Sequence, residues 1–391
     1  MRSSEFLDWP FFEPRHREVF AQADAWAGQR SARVPPDEAR AAVDAECRRL
    51  VRELGHCGLA ALAVPAPEAP ARFDVRTLAL VREALAWHHG LIDFAFAMQG
   101  LGSGAIALAG SPELRARYLP RAARGEAIAA FALSEPQAGS DAAAIECRAR
   151  SDAGHYVLEG EKTWISNGGI ADFYCVFART AVAERRADGT VSGRGISAFV
   201  VDADTPGVTI AERLDVMAPH PLARLRFESC RIPASQRLGP EGEGLKLALR
   251  TLGVFRTSVA GAALGFAQRA LDAACEHART RPMFGSTLAE QPLTQAALAG
   301  LATELEAARL LTYRAAWRRD AGASAVREVA MAKLAATECA QRVADRAVQL
   351  FGGRGVARGE AVERIYREVR ALRIYEGASE VQQLIIGREI L

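Results

Sequence analysis

Apolar residues recur every three to four positions across residues 36–124, in stretches such as AECRRLVRELGHCGLAAL and RTLALVREALAWHH. That spacing predicts amphipathic helices. Gly55 and Gly58 mark helix ends, and in GSPELRARYL Ser111 suits an N-cap with Pro112 at the first helical position. Between about residues 126 and 233 the texture changes. Short runs such as YVLEGEKTWIS, DFYCVFAR, GISAFVVD and ARLRFESCRI gather β-branched and aromatic residues between Gly, Asp and Asn turns, which predicts strands. With no long helix between them, these strands fit an antiparallel barrel or sandwich better than βαβ units. After Gly239–Gly244 the helical period returns through LKLALRTLGVFRTSVAGAALGFAQRALDAACEHA, EAARLLTYRAAWRRD and REVAMAKLAATECAQRVADRAVQLF. Wide apolar faces on such long helices suggest a bundle. The expected architecture is α+β in three regions, helical over 1–125, β over 126–235 and a helical bundle over 236–391. No internal repeat, low-complexity tract or Pro-rich linker separates them.

Composition narrows the function class. Half the 391 residues are apolar and a quarter are charged, with both signs interspersed, as in a globular chain with more than one core. A formal charge of +2 gives no basic footprint for nucleic acid. The apolar stretch Leu91–Leu108 is interrupted by Asp93, Gln99 and several glycines, so no membrane span is expected. The N-terminus, MRSSEFLDWPFFEP, has two acidic residues and no apolar run ending in a small-residue cleavage site. A cytoplasmic location is the resulting expectation. Cys47, Cys57, Cys147, Cys175, Cys230, Cys275 and Cys339 form no CxxC pair, which argues for reduced thiols rather than disulfides or a zinc site. The adjacent His88 and His89 point about 100° apart on a helix and suit no metal.

The first candidate chemistry, GLGSGA at Gly100–Ala105, satisfies a loose dinucleotide fingerprint. It lies inside a helical stretch with no parallel strand before it and no later ribose-binding acid, so it is set aside. There is no GxxxxGK[ST] loop and no GxSxG elbow. Two other segments stand out, FALSEPQAGSD at Phe131–Asp141 and RALRIYEGASEVQQLIIGREI at Arg370–Ile390. With KTWISNG at Lys162–Gly168, Arg256, RPMFG at Arg281–Gly285 and QLFGGRG at Gln349–Gly355, they resemble, in order and over nearly the whole chain, the acyl-CoA dehydrogenase flavoproteins of bacterial type.

The resemblance implies an N-terminal helical domain, a middle antiparallel β-barrel domain and a C-terminal four-helix bundle. It implies FAD extended between the middle and last domains, with its adenine end reaching a neighbouring subunit of a homotetramer. An acyl-CoA substrate, electron-transfer flavoprotein as the electron acceptor and a place in fatty acid metabolism follow from the same likeness. Glu376, between Tyr375 and Gly377 at a break in the helical pattern, matches the family's catalytic glutamate, which takes the α-proton while the β-hydride passes to flavin N5. Burial would raise its pKa towards the working pH, as a base for a weak carbon acid needs. Developing charge on the thioester oxygen would meet the Glu376 N–H and a ribityl hydroxyl.

By the same likeness, Phe131, Leu133, Ser134, Gly139 and Ser140 line the flavin edge, and Trp164, Ile165 and Ser166 lie against its ring. Arg281 and Phe284 reach the partner's FAD, with Gln349, Gly352 and Gly353 at the pyrophosphate and adenine end. Gly377, Ala378, Ser379 and Glu380 open the last helix beside FAD, where free N–H groups would favour an anion. Ser140, Arg256 and Gly377 would meet substrate, Arg256 by holding the CoA portion near the base. Each residue has a plainer reading: a solvent-facing glutamate, a core tryptophan, a solvated arginine. The chain departs from the family pattern at Gly253, where an acidic residue is common, in MAPHPLARLRFESCRIP, which lacks a GxR-type run, and at Gln291, displaced by one position. These departures bear on acyl and carrier specificity. The alternatives are an acyl-CoA oxidase or other oxygen-using flavoenzyme on the same scaffold, a dehydrogenase of carrier-protein thioesters, and a non-catalytic scaffold. The oxidase is disfavoured because the chain stops soon after the Glu376 segment, where oxidases carry a further helical domain.

Overall fold

The computed structural model describes residues 4–34, 38–68, 72–184 and 189–391. In chain order come helices α1 (Pro14–Ser31), α2 (Arg40–His56), α3 (Val75–His88), α4 (Gly90–Ala109) and α5 (Pro112–Ala123). Strands β1 (Ala129–Ala132), β2 (Arg148–Asp152), β3 (His155–Ser166), β4 (Phe173–Arg179), β5 (Ile196–Asp202), β6 (Val208–Arg213), β7 (Leu222–Pro233) and β8 (Arg237–Leu238) follow. Next is α6 (Gly244–Thr280), then a two-residue hairpin of β9 (Pro282–Met283) and β10 (Ser286–Thr287). Helices α7 (Pro292–Asp320), α8 (Val326–Phe351), α9 (Ala361–Leu372) and α10 (Ser379–Ile390) complete the chain. The α, β, α order of the hydrophobic pattern is therefore the order of the fold.

Local signals account for several boundaries. Ser111 caps α5, its hydroxyl accepting from the Leu114 N–H at 3.3 Å, and Pro112 takes the first helical position. Asp74 caps α3 by accepting from the Thr77 N–H at 3.0 Å. The GLGSGA stretch lies inside α4. Its Gly102 serves packing, since a Cβ there would stand 2.6 Å from the main chain of Ala129 and force α4 away from β1. By length and composition α4 and α6 could cross a membrane, and most of each is buried in this fold.

The chain divides into two compact units, one of residues 1–36, 74–93 and 253–391, the other of residues 37–73 and 94–252. The second contains the sheet, whose strands run in the order β6-β7-β3-β2-β4-β5-β8 with β1 also beside β4. Pairing is antiparallel except where β1 and β2 run parallel to β4. Ile106, Leu114, Tyr118 and Leu119 of α4 and α5 join Phe173, Cys175, Phe177 and Val200 of the sheet in one buried cluster. Buried Gln99 stitches α4 to the start of β1, donating to the carbonyls of Ala122 and Ala127 and accepting from the Ala129 N–H at 2.9 Å. The ladder between the twelve-residue strands β3 and β7 is interrupted between Lys162 and Ile165, and a bulge of this kind re-aims the residues it ejects.

In the first unit the bundle helices pack through alanine-rich faces, as at Ala332, Ala336, Ala340 and Ala344 of α8, all buried. Some charged groups inside it are paired. Glu83, fully buried, accepts from the Tyr313 hydroxyl and from Arg309 at 3.3 Å. Phe6 stacks on Tyr313 with ring centroids 5.7 Å apart, fastening the N-terminal segment to α7. His88 meets Asp24 at 3.0 Å and the His89 ring accepts from the Leu91 N–H at 3.1 Å, so both histidines serve structure. All seven cysteines are free thiols.

Candidate active site

Glu376 lies in the turn between α9 and α10 with φ +52, followed by Gly377 with φ +92. A left-handed backbone at a non-glycine residue is strained and persists only where its surroundings hold it. The carboxyl atom Oε2 is closed to solvent and has no hydrogen-bond partner among the described residues. Burial pushes the carboxyl pKa up, against the opposing charges of Arg82, Lys333 and Arg256. The residue is therefore half-buried with one carboxyl oxygen closed to solvent, and the cations that favour its charge do not bond that oxygen. That combination leaves a proton acceptor available instead of consuming it in a salt bridge.

The turn itself is held by its carbonyls. Lys333 of α8, fully buried, donates through Nζ to the Tyr375 carbonyl at 2.8 Å and to the Gly377 carbonyl. Arg256 of α6 donates through Nε to the Glu376 carbonyl at 3.0 Å, and Gln382 of α10 donates to the Gly377 carbonyl at 2.9 Å. Gly377 is required twice over, by its positive φ and because a Cβ would stand 2.6 Å from the Gln382 amide. The Glu376 N–H makes no hydrogen bond among the described residues. Behind the turn, Arg82 of α3 and Asp93 of α4 form a buried bidentate pair at 2.8 and 2.7 Å, with Arg82 also 3.2 Å from the Ser258 hydroxyl of α6.

In the sheet-bearing unit the two motifs FALSEPQAGSD and KTWISNG are joined side by side. The Ser134 carbonyl accepts from the Thr163 N–H at 2.9 Å, and buried Lys162 bonds the Leu133 carbonyl at 2.9 Å and Glu135 at 2.7 Å. The β3 bulge carries Trp164 at φ +58 with 59% of its surface exposed, while Thr163 and Ile165 on either side are buried. Ser134 and Ser166 are half-buried, and Gly139 and Ser140 are exposed. Phe131 packs on Phe177 at 4.8 Å and Leu133 joins the core. An exposed indole on the strand that carries Ser166 and bonds Ser134 through Thr163 suits a flat ring with a polar edge, as a flavin has.

The remaining predicted residues sit in the helical unit. His277 of α6 stacks on Phe351 of α8 at 4.2 Å, so the RPMFG and QLFGGRG segments that follow these helices leave the bundle at one end. Arg281 is exposed with no side-chain bond among the described residues, and Phe284 stands on the β9–β10 turn at φ +51, 90% exposed. Gln349, Gly352 and Gly353 are exposed at the end of α8. Ala378 is half-buried and Glu380 exposed at the start of α10. Ser379 departs from the expected free donor: its N–H donates to the Arg373 carbonyl at 3.0 Å and its hydroxyl to Glu338. It anchors the helix start, because Glu338 is fixed by Arg373 at 2.8 Å.

Lys333, Arg82 and Gln382 went unnoticed in the sequence, and Asp93 was read there only as an interruption of an apolar stretch. Lys333 did leave a signal. It falls on the stripe of Val329, Ala330, Ala336, Thr337 and Ala340, where a lone lysine has to find partners inside the protein.

Comparison with known proteins identifies the family. The chain matches the models of the acyl-CoA dehydrogenase N-terminal domain over residues 13–126, the middle domain over 130–230 and the C-terminal domain over 242–391. It is 39% identical over 346 residues to the human short-chain specific acyl-CoA dehydrogenase, mitochondrial, covering 87% of this chain and 82% of that one. Among solved structures it is similar to butyryl-CoA dehydrogenase from Megasphaera elsdenii (TM-score 0.87, 30% identity, 97% and 98% of the two chains). It is also similar to a glutaryl-CoA dehydrogenase from Mycobacterium smegmatis in complex with FADH2 (TM-score 0.85, 27% identity, 97% and 95%). Fold and site thus define a flavin-dependent oxidoreductase acting on a CH–CH bond. The chain belongs to the acyl-CoA dehydrogenase family.

Proposed function

We propose that the protein dehydrogenates a short-chain acyl-CoA to its trans-2-enoyl-CoA, with Glu376 as the base and FAD as the resident cofactor. The observation that carries the reading is the Glu376 carboxyl: on a left-handed backbone, with one oxygen closed to solvent and lacking any bond among the described residues. Short acyl chains come first because relatives at 39% and 30% identity are named for short-chain acyl-CoA and butyryl-CoA.

Glu376 takes the α-proton onto its free oxygen, and its raised pKa brings the carboxyl closer to the weak acidity of the thioester. The cations Arg82, Lys333 and Arg256 favour its ionised form, the form that acts as a base. The unoccupied Glu376 N–H is suited to hold the thioester oxygen as charge develops there. Bound FAD supplies the acceptor for the β-hydrogen with its electron pair. Ser134, Gly139, Ser140, Trp164 and Ser166 would hold its ring system, the Trp164 face covering the flat surface. Arg281, Phe284, Gln349, Gly352 and Gly353 would serve the rest of the cofactor, Arg281 and Phe284 that of a partner subunit, for which the exposure of Phe284 is the support. By the family likeness, the assembly is a homotetramer and electron-transfer flavoprotein receives the electrons.

The test is anaerobic mixing of the flavin-loaded protein with acyl-CoAs of increasing length, followed by bleaching of the flavin's visible absorbance. Butyryl-CoA is expected to bleach it rapidly, and Glu376→Gln to slow that step by about 10² to 10⁴-fold with flavin retained. Unchanged bleaching in Glu376→Gln would remove Glu376 as the base. Bleaching only by long chains would overturn the substrate class.

A further inference from the structure

We propose that Lys333 is a positioning residue for the Glu376 carboxyl, its buried ammonium tying the carbonyls on either side of Glu376 to α8. The inference rests on the reading of Glu376 as the base and adds a residue to the machinery of that reaction.

The geometry is specific. Three consecutive carbonyls, of Tyr375, Glu376 and Gly377, are each taken by a side chain from a different element than the turn. Lys333 takes the outer two and Arg256 the middle one, so the peptide planes on both sides of Glu376 are fixed while its carboxyl receives no bond from either cation. A lysine suits the task because its ammonium carries several donors on one compact centre and can reach two carbonyls that diverge. Burying it is costly. Burial pulls its pKa down to about 8, with Glu376, Glu338 and Glu380 supporting the charge and Arg256 opposing it. Although two of its donors have partners, no carboxylate bonds Lys333 directly. A charge kept inside a bundle for main-chain contacts alone is hard to explain by stability, since a neutral apolar side chain would avoid the desolvation. It is explained if the contacts hold a strained turn. Glu376 at φ +52 would otherwise relax towards common backbone angles and swing its carboxyl away, and a displacement of about 1 Å is enough to lower a rate about 100-fold.

The charge matters beside the geometry. Lys333 and Arg256 both favour the ionised carboxyl from their places next to the turn, as does Arg82 from α3, with Asp93 of α4 opposing them. Removing the ammonium therefore loosens the turn and makes Glu376 harder to ionise.

The experiment compares flavin-loaded wild type, Lys333→Met, Lys333→Gln and Glu376→Gln. For Lys333→Met the maximal rate of flavin bleaching by butyryl-CoA is expected to fall about 10 to 100-fold, KM to change by less than about 3-fold, and the acid limb of the pH–rate profile to move to higher pH. Hydrogen exchange followed by mass spectrometry should show faster exchange in the segment around Tyr375–Gly377, in the flavin-free protein as well. Lys333→Gln keeps an amide donor without the charge, so it should recover part of the rate but retain the shifted acid limb. It also carries the test should the Met variant not fold. A full rate with an unmoved acid limb and unchanged exchange, in a background where Glu376→Gln is inactive, would overturn the positioning role while leaving the base in place. Activity in Glu376→Gln would overturn both.

Discussion

Arg256 Nε stands 3.0 Å from the carbonyl oxygen of Glu376, a residue 120 positions away in the sequence, and donates to it. A hydrogen bond from a charged group to main chain contributes about 1.5 to 3 kcal/mol. Arg256→Met should therefore slow flavin bleaching at saturating substrate by about 10 to 100-fold. Family likeness assigns Arg256 to the CoA portion instead. That role would appear as a raised KM with the maximal rate intact, so stopped-flow titration with butyryl-CoA separates the two.

The Glu376 carboxyl is pushed up by burial, which fixes the sign of its effect on stability. The folded protein holds that proton more tightly than the unfolded chain, so this contribution is complete below the ordinary carboxyl range and is lost as pH rises through the folded pKa. Glutamine does not titrate and escapes the loss. Glu376→Gln should match wild type in thermal stability near pH ~4 and exceed it increasingly towards pH ~8. Thermal scans at fixed flavin occupancy check this. A Gln variant that loses ground as pH rises would contradict the sign.

Glu135, next in the chain to Ser134, has almost no exposure and bonds Lys162 at 2.7 Å, the N–H groups of Glu146 and Cys147 at 2.6 and 3.0 Å, and Gln137 at 2.8 Å. Glu135→Ala strands a buried ammonium and should cost about 3 to 5 kcal/mol in urea unfolding. The double variant Glu135→Leu with Lys162→Met should recover only part of that loss. It removes the unpaired charge but leaves two N–H groups without an acceptor.

Trp164 is 59% exposed, so Trp164→Ala should change stability by only about 1 kcal/mol or less. Its flavin affinity should fall about tenfold or more, with Trp164→Phe intermediate. Fluorescence titration of the flavin-free protein with FAD gives the affinities. Unchanged affinity in Trp164→Ala would separate this indole from the cofactor surface.

How much of this was legible in the sequence differs between elements. Ser111 and Pro112 announced the start of α5, and they do so in the structure because capping is settled within one turn of chain. The β3 strand was visible in YVLEGEKTWIS, but not the bulge that pushes Trp164 out of the ladder, which depends on how β3 registers against β7. Glu376 stood out through the likeness of its segment to the family's catalytic motif, with Gly377 breaking the helical period beside it, and the structure gives both residues the positive φ that such a break allows.

What the chain determined by itself was the succession of helices and strands, their apolar faces and the break in which Glu376 sits. These are local properties, written in residues a few positions apart. Tertiary structure alone decided which charges meet. Lys333 reaches carbonyls 42 and 44 residues away and Arg256 one 120 away. Such encounters leave no period in the sequence, because a helix pattern states which side is buried but not what is buried against it. The site's electrostatics come from that packing, where burial and converging cations act together on one carboxyl.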